Sequence, residues 1–338
     1  MRLWKHLLAG LLAGLLGLSV LLGGAVAWWL NHALVPENQS ALDLSIDPGT
    51  SPKAIAAAVS EAGADVNPTL LYAWFRASGE ARLIKAGSYE ITPGTTPLSL
   101  LSKLVRGEAS MLSITLVEGW NIRQVRAALK NAEQLQDSTS ALSESELMAA
   151  LGRPGVHPEG RFYPDTYTYA KRSSDQALLA RALRAMDKRL DKTWAQRAPG
   201  SPLKSPQEAL ILASIVEKET GKPSDRGMIS SVFHNRLRIG MPLQTDPTVI
   251  YGMFDAFDGN LRRADLRTDH PWNTYTRKGL PPTPIAMPGR NALKAAVQPA
   301  PSNALYFVAK GDGTSYFSAT LDEHNAAVNR YQRKAAGQ

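Results

Sequence analysis

The chain begins with a long apolar segment that differs from everything after it. Residues 7–30 carry no charge and follow Arg2 and Lys5. As a helix, this segment would span about 36 Å, which exceeds the roughly 30 Å hydrocarbon core of a bilayer. Positive residues before such a span predict an N-terminus on the inner side. We therefore expect a cytoplasmic tail over residues 1–6, a single transmembrane helix over residues 7–30 in the inner membrane, and a periplasmic remainder.

A cleaved signal peptide is the alternative interpretation of this segment. Ala25 and Ala27, with Val26 between them, match the small-x-small pattern of a signal-peptide cleavage site. The apolar run is longer than the roughly 7–15 residues of a usual signal sequence, which favours an uncleaved anchor. Under either interpretation, the rest of the chain lies outside the cytoplasm.

Three later stretches alternate apolar and polar residues and then change to a helical spacing. They begin at Leu42, Gly87 and Leu112, and the turns after them contain Gly49, Gly94 and Gly119. This order predicts a strand, a turn and an amphipathic helix each time. Thr50 and Thr95 suit the helix starts, since a proline follows each of them two residues later. The pattern indicates either a chance recurrence of turn residues or a repeated βα unit, which resembles the LysM-type glycan-binding module in size and order.

A helix of about four turns is predicted to follow Ser205. Ser205, Pro206 and Glu208 have the spacing of a capped helix start, and Thr220 and Gly221 supply a stop. The last turn of this helix contains Glu217 and Glu219. Carboxylates are unfavourable there, because the C-terminal end of the helix dipole is negative.

The helical spacing separates these two acids. Glu219 continues the apolar face of Ile215 and Val216, whereas Glu217 lies about 200° around the helix axis. Desolvation and the negative helix end both raise the pKa of a carboxyl in the position of Glu219. A carboxyl that stays protonated near neutral pH suits a general acid at a glycosidic oxygen. The alternative is a solvated last turn in which Lys218 and Arg226 neutralise both acids.

Polar side chains on stiff loops follow this helix. A second helix is predicted next, with Ser224 as its N-cap and Gly240 at its end, and proline-rich loops come after it. The candidates for holding a sugar by its hydroxyl and acetamide groups are Gln244, Thr245, Asp246, Asn273 and Tyr275. Each could equally brace a loop, and the Asp-Pro pair at Asp246 is also an ordinary turn.

Several other side chains are second-tier candidates for the site or have a structural role as the alternative. Glu217, His324 and Asn325 form the second tier, the last two at the start of a predicted final helix. Glu159 and Asp165 lie in an aromatic-rich stretch, where they either contact substrate or support the core. The six histidines lack metal-ligand spacing, so we expect no metal and no cofactor.

Composition narrows the possible partners. The net charge of +8 suits anionic lipid, an acidic wall polymer or nucleic acid. No arginine-rich run, zinc-finger spacing or RNP motif is present, which argues against nucleic acid. The chain has no cysteine, so disulfides, iron–sulfur clusters and thiol catalysis are excluded.

Four blocks in order resemble the YceG-like family of endolytic murein (peptidoglycan) transglycosylases. They are ASIVEKET, VFHNRLRIGMPLQTDPTVIYG, NTYTRKGLPPTPIAMPG and LYFVAKGDGTSYFSATLDEHN. The resemblance implies an α+β fold in which a transmembrane helix and a linker over residues 31–41 precede a LysM-like module over residues 42–110. A mixed α+β catalytic domain would occupy residues 111–338.

The resemblance also implies a reaction and a catalytic residue. The family cleaves the MurNAc–GlcNAc β-1,4 bond within glycan strands, leaves 1,6-anhydro-MurNAc ends, and works beside peptidoglycan synthases. The second acid of its E-K-E-T motif falls on Glu219, the residue that the helical spacing selects. Two alternatives stay open: a muramidase that uses water with Asp246 or Glu217 as second carboxylate, and a membrane-anchored glycan-binding scaffold without catalysis.

Overall fold

A computed structural model describes residues 2–109, 111–219, 222 and 224–333 of the chain. The first helix, α1, runs over Arg2–Leu30. Within the described residues, no helix combines the length and hydropathy that a membrane crossing requires. The transmembrane helix over residues 7–30 therefore stays a prediction.

The chain divides into two compact units. One consists of Met1–Leu112 and Thr168–Ser173, and the other of Ser113–Tyr167 and Ser174–Gln338. In the described part of the chain, strands pair as three two-stranded sheets. The strands are β1 (Leu42–Ile46), β2 (Gly87–Ile91), β3 (Met111–Thr115), β4 (Thr166–Ala170), β5 (Tyr306–Ala309) and β6 (Ser315–Ser318), paired β1–β2, β3–β4 and β5–β6. Helices with small sheets make the fold α+β, as the sequence predicts.

The first unit packs helices α2 (Pro52–Glu61), α3 (Pro68–Ala77) and α4 (Pro97–Arg106) with the antiparallel pair of β1 and β2. Its core is apolar and includes the fully buried side chains of Phe75, Tyr89 and Leu104. Leu34 and Val35 belong to the same core and are 2% and 0% exposed. These two residues lie in the segment that the sequence assigns to a linker.

The three strand–turn–helix units form as predicted. β1 leads to α2, β2 leads to α4, and β3 leads to α5 (Ile122–Lys130). The turn glycines have left-handed backbones, with φ of 86° at Gly49, 80° at Gly94 and 80° at Gly119, a conformation that costs other residues more. The helix starts at Thr50 and Thr95 are wrong by one residue. Ser51 and Thr96 are the N-caps, because each directly precedes a proline at the first helical position.

The second unit is mainly helical. Besides α5 it contains α6 (Glu144–Ala150), α7 (Asp175–Trp194), α8 (Pro206–Glu219), α9 (Arg226–Arg238), α10 (Asp246–Met253), α11 (Arg263–Arg267), α12 (Arg290–Val297) and α13 (Leu321–Val328). Short 3-10 turns lie at Ala81–Leu83 and Phe254–Ala256, and a π turn at Asn329–Arg333. The β5–β6 hairpin precedes α13, the final helix that the sequence predicts.

Helix α8 forms the centre of this unit. Its residues from Ala209 to Val216 are all buried, and α7, α9, α10 and α12 pack against it. A helix that is apolar on all sides is a core helix rather than a surface one. Ser205 caps it through a hydrogen bond from the amide of Glu208 at 3.2 Å. The predicted stop at Thr220 and Gly221 lies outside the described residues.

The next helix starts differently from the prediction. Asp225, not Ser224, occupies the N-cap position of α9, and the Ser224 hydroxyl donates to the Asp225 carboxylate at 3.0 Å. The other Asp225 oxygen accepts the amide of Ser315 at 2.7 Å, which ties α9 to the β5–β6 hairpin. The carboxylate is therefore used for a tertiary contact at this helix start.

Candidate active site

Glu219 is the last residue of α8 and lies at the end of the buried helix. The pKa of its carboxyl is raised to about 7, mainly by burial; the hydrogen bond from Thr245 lowers it, the charge of Asp246 raises it, and the charge of Arg236 lowers it. Oε1 accepts a hydrogen bond from the Thr245 hydroxyl. Oε2 has no hydrogen-bond partner among the described residues. A carboxyl that is about half protonated near neutral pH, with one oxygen open, can both donate and accept a proton.

Thr245 is held in place by the loop that contains Thr274. The amide of Thr245 donates to the Thr274 hydroxyl at 3.1 Å, and the amide of Gln244 donates to the Thr274 carbonyl at 3.1 Å. Thr248 contacts both threonines, with its hydroxyl 2.7 Å from the Thr245 carbonyl and 2.8 Å from the Thr274 hydroxyl. Thr245 and Thr274 are both 2% exposed. This buried threonine network aims the hydroxyl of Thr245 at Glu219.

Gln244 and Asp246 flank Thr245 on the exposed side. Gln244 has φ of 49°, an uncommon left-handed conformation for a residue other than glycine. Its side-chain amide makes no hydrogen bond to other described residues, so it is available to a ligand. Asp246 begins α10, and its Oδ1 accepts the Tyr275 hydroxyl at 2.6 Å. Burial raises the pKa of the Tyr275 hydroxyl, and its hydrogen bond to the Asp246 carboxylate raises that pKa further.

Asn273 acts within its own loop. Its side-chain nitrogen lies 2.7 Å from the Thr268 carbonyl and also contacts the carbonyls of Asp265 and Leu266. Its Oδ1 accepts the amide of Tyr275 at 2.9 Å. The side chain is completely buried. Of the two roles that the sequence leaves open for Asn273, the geometry favours the loop brace.

Arg236 is a site residue that the sequence analysis missed. Its Nε donates to the Leu305 carbonyl at 2.7 Å, and its Nη1 donates to the Leu243 carbonyl at 2.6 Å. The guanidinium lowers the pKa of Glu219, against the effect of burial. Arg236 continues the buried face of α9 at helical spacing from Ile229 and Phe233, and an arginine on an apolar face is the signal that could have found it.

His324 lies beside this arginine. Its ring stacks on Tyr306 with centroids 5.2 Å apart, and the Arg236 guanidinium lies 5.5 Å from the centroid of the same tyrosine. Burial, and then the charge of Arg236, lower the pKa of His324. Asn325 is exposed on the same helix. His324 therefore belongs to the packing behind Arg236.

Glu217 has a different environment from the one that its position on the helix suggests. Its Oε1 accepts from Arg226 at 3.2 Å, and its Oε2 accepts the amide of Gly289 at 2.8 Å. The side chain is 6% exposed. Because α8 is surrounded on all sides, leaving the apolar face of Glu219 does not bring Glu217 into solvent. The alternative in which Arg226 also neutralises Glu219 is not what the geometry shows, since Arg226 pairs with Glu217.

Glu159 and Asp165 differ in their exposure to solvent. Glu159 is completely buried and accepts the amide of Ile122 at 3.1 Å and the hydroxyl of Tyr251 at 3.1 Å. Burial raises its pKa to about 7, although these hydrogen bonds act in the opposite direction. Asp165 is exposed and accepts its neighbour's amide at 2.8 Å. Glu159 thus joins the start of α5 to α10, as expected for support of the core.

No group of three His, Asp or Glu side chains in the described residues is arranged to hold a metal ion. Proton transfer by a carboxyl group needs no metal ion. The expected absence of a metal stays a prediction.

The site residues lie in a segment that matches a known family model. The model of the YceG-like family matches residues 44–330. The chain belongs to the YceG-like family. It is similar to the endolytic murein transglycosylase of Bacillus subtilis, with 29% identity over 92% of this chain and 91% of that protein. An endolytic murein transglycosylase of Streptococcus pneumoniae is 27% identical over 84% of this chain and 57% of its own length.

A solved structure also matches. The crystal structure of a yceG-like protein from Listeria monocytogenes is 28% identical, with a TM-score of 0.54 over 85% of this chain and 98% of that one. The match therefore extends over most of both chains.

Proposed function

We propose that this YceG-like chain is an endolytic peptidoglycan lytic transglycosylase with Glu219 as its acid and base. It would cleave the MurNAc–GlcNAc β-1,4 bond within glycan strands. The observation that carries the proposal is the carboxyl of Glu219, whose burial raises its pKa to about 7 at the end of α8. The similar proteins from B. subtilis and S. pneumoniae are named endolytic murein transglycosylases, which supports the same reaction.

The proposed reaction proceeds in two proton transfers. Protonated Glu219 donates its proton to the glycosidic oxygen as the bond from that oxygen to C1 of MurNAc breaks. The C6 hydroxyl oxygen of the same MurNAc then bonds to C1, and its proton returns to the Glu219 carboxylate. No water enters, the end formed is 1,6-anhydro-MurNAc, and the enzyme regains its starting state. The Thr245 hydroxyl orients Glu219 through Oε1 in both steps.

A muramidase would need a second carboxylate to activate water or stabilise the sugar cation. Glu217 is engaged by Arg226 and Gly289, and Asp246 by Tyr275. These contacts favour the reaction that uses the nucleophile of the substrate itself. A non-catalytic scaffold would have no use for a desolvated acid next to a positioned hydroxyl.

Digestion of purified peptidoglycan tests this proposal. The fragment beginning at residue 32 would be compared with its Glu219→Gln and Asp246→Asn variants, and with Glu208→Gln as a control at the other end of α8. We expect anhydro ends, lighter by one water than reducing ends, from all but Glu219→Gln. Reducing ends from the unaltered fragment would indicate the hydrolase, and binding without cleavage would indicate the scaffold.

The setting of this activity is part of the proposal. Residues 7–30 would anchor the chain in the inner membrane with the catalytic part in the periplasm. The βα units before it would serve as a LysM-like glycan-binding module. This arrangement would keep the site near new strands and their synthases, where cleavage would end strand elongation. Cell fractionation tests the anchor: carbonate extraction should leave the full chain in the membrane fraction, and its release would contradict the anchor.

A further inference from the structure

A basic groove lies between α7 and α12, apart from the residues that contact Glu219. It encloses about 690 Å³. The cationic side chains that line it are Lys188, Arg189, Lys192, Arg290 and Lys294. The first three belong to α7 and the last two to α12, so both walls are positively charged.

The groove follows both helices for about one turn. Lys188 and Lys192, like Arg290 and Lys294, are four residues apart, which corresponds to a rise of about 6 Å along each wall. The ends of the helices are joined where the amide of Ala198 donates to the Val297 carbonyl at 2.8 Å. The cations are thus spaced along a channel rather than gathered around one point.

The positive charge of the groove is largely uncompensated. Arg189 lies 3.7 Å from the ring centroid of Tyr163 and 3.6 Å from the Asp165 carboxylate. The other four cationic side chains have no hydrogen bond or ion pair with the described residues. The acids of α7 that are nearest in sequence, Asp187 and Asp191, lie outside the arc of the helix that faces the groove, at 100° per residue. Like charges held this close favour an anionic ligand.

The groove also has a defined relation to the catalytic helix. Gly289 directly precedes Arg290, and its amide donates to Glu217 at 2.8 Å, two residues before Glu219. Since Glu217 and Glu219 lie on nearly opposite faces, the groove starts on the far side of the α8 end from the catalytic acid.

We propose that the groove binds the carboxylate-bearing stem peptide of the glycan strand whose sugar bond lies at Glu219. This inference rests on the proposed function. Single charges repeated along an extended peptide match cations spaced along two walls, whereas a compact phosphate needs converging donors. An extended peptide of four residues is about 13 Å long, about twice the 6 Å between successive cations on each wall. The groove would thus select strands that carry peptides.

Neutralisation of the groove tests the proposal. A triple variant, Lys188→Gln, Lys192→Gln and Lys294→Gln, would be compared with a control that carries Lys53→Gln, Lys130→Gln and Lys204→Gln, all exposed lysines elsewhere. Substrates would be glycan with its peptides and glycan stripped of them by an amidase. For the groove variant we expect kcat/KM to fall about ten-fold on peptide-bearing glycan. On stripped glycan, the kcat/KM of the groove variant should equal that of the unaltered chain.

Three outcomes would overturn the proposal or separate it from the proposed function. Equal rates for the groove and control variants on peptide-bearing glycan would overturn it. The proposal would also be overturned if the groove variant lost binding to phosphatidylglycerol vesicles but still preferred peptide-bearing glycan. That result would assign the groove to lipid. If the unaltered chain cleaves neither glycan, the proposed function fails. The groove is then judged by titration with free stem tripeptide, which must bind the unaltered chain more tightly than the groove variant.

Discussion

The protonation of Glu219 depends on a balance between groups that contact or face it. Burial and Asp246 favour the neutral acid, whereas Thr245 and Arg236 favour the carboxylate. The result is a pKa of about 7, where both forms are populated at neutral pH. A residue that must first donate a proton and then accept one requires this balance.

Replacement of Thr245 should move the pH dependence of catalysis. The proposed reaction starts from protonated Glu219, so kcat/KM should fall above pH 7. Thr245→Val removes the hydrogen bond that lowers the pKa of Glu219. The descending limb should then move upward by about one pH unit. Thr245→Ser, which keeps a hydroxyl, is the control, and an unmoved limb in Thr245→Val would contradict the role of this hydrogen bond.

Residue-scale prediction from the sequence depended on helical spacing. Glu219 could be selected because it continues an apolar face close to it in the chain. Arg236 was missed because its partners, the carbonyls of Leu243 and Leu305, become neighbours only when the chain folds. Asn273 was recognised as polar and rigidly placed, but spacing alone could not show that its amide is used within the loop.

At the level of elements, Glu217 joins three helices. It belongs to α8, pairs with Arg226 of α9, and accepts the amide of Gly289 at the start of α12. Both side chains of the ion pair are largely buried, at 6% exposed for Glu217 and 11% for Arg226. The end of α8 that presents Glu219 is thereby fixed by contacts on its other side.

Breaking this ion pair should destabilise the fold. Glu217→Gln leaves the Arg226 guanidinium buried without its counter-charge, and we expect the free energy of unfolding to fall by about 3 kcal/mol. Urea denaturation at constant m-value measures this change. Adding Arg226→Leu to Glu217→Gln should recover part of the loss. A double variant that loses the sum of both single changes would show that the two side chains do not interact.

Glu159 should make stability depend on pH. Its folded pKa of about 7 lies above the ordinary value of 4.5, so the folded state holds the proton more tightly than the unfolded state. Its contribution is full below about pH 4.5 and is lost as pH rises through 7. Because Glu219 acts in the same direction, the test compares Glu219→Gln with Glu219→Gln/Glu159→Gln. The fall in Tm between pH 5 and pH 8 should be smaller in the double variant, and identical falls would contradict the assignment.

The strand–turn–helix units could be predicted because their signals are local. Alternation, a turn glycine and a proline at the first helical position each act within a few residues. Ser224 was chosen as a cap on the same local grounds. Asp225 occupies that position instead, and its carboxylate accepts the amide of Ser315 in a hairpin far along the chain. Local patterns do not contain that contact.

At the scale of the whole molecule, the first unit includes residues that precede its first strand. The amide of Leu34 donates to the Thr95 carbonyl at 2.7 Å, its carbonyl accepts the amide of Asp65 at 2.8 Å, and the Val35 carbonyl accepts the amide of Gly94 at 3.1 Å. This segment was predicted to be a linker, because its short apolar stretch from Ala33 to Val35 lies between polar residues and gives no periodic signal.

Truncation should reveal this contribution. A fragment that begins at residue 32 keeps Leu34 and Val35, whereas one that begins at residue 42 loses both. The shorter fragment should be less stable in its first unit by about 4 kcal/mol, from lost apolar burial and backbone hydrogen bonds. Limited proteolysis under increasing urea measures the difference. Leu34→Ala in the longer fragment should reproduce part of it, and equal resistance of the two fragments would show that the segment is dispensable.

The shared proton of Glu219 also defines the inhibitor that should bind it best. A sugar analogue with an amine in place of the anomeric carbon would take the proton from Glu219 and form an ion pair with the carboxylate, next to the hydroxyl of Thr245. Its affinity should peak between the pKa of Glu219 and that of the amine, since only there are both partners charged. A more basic amine would extend the upper limit of this pH range. A neutral lactam carries no charge, so its binding would show no such range.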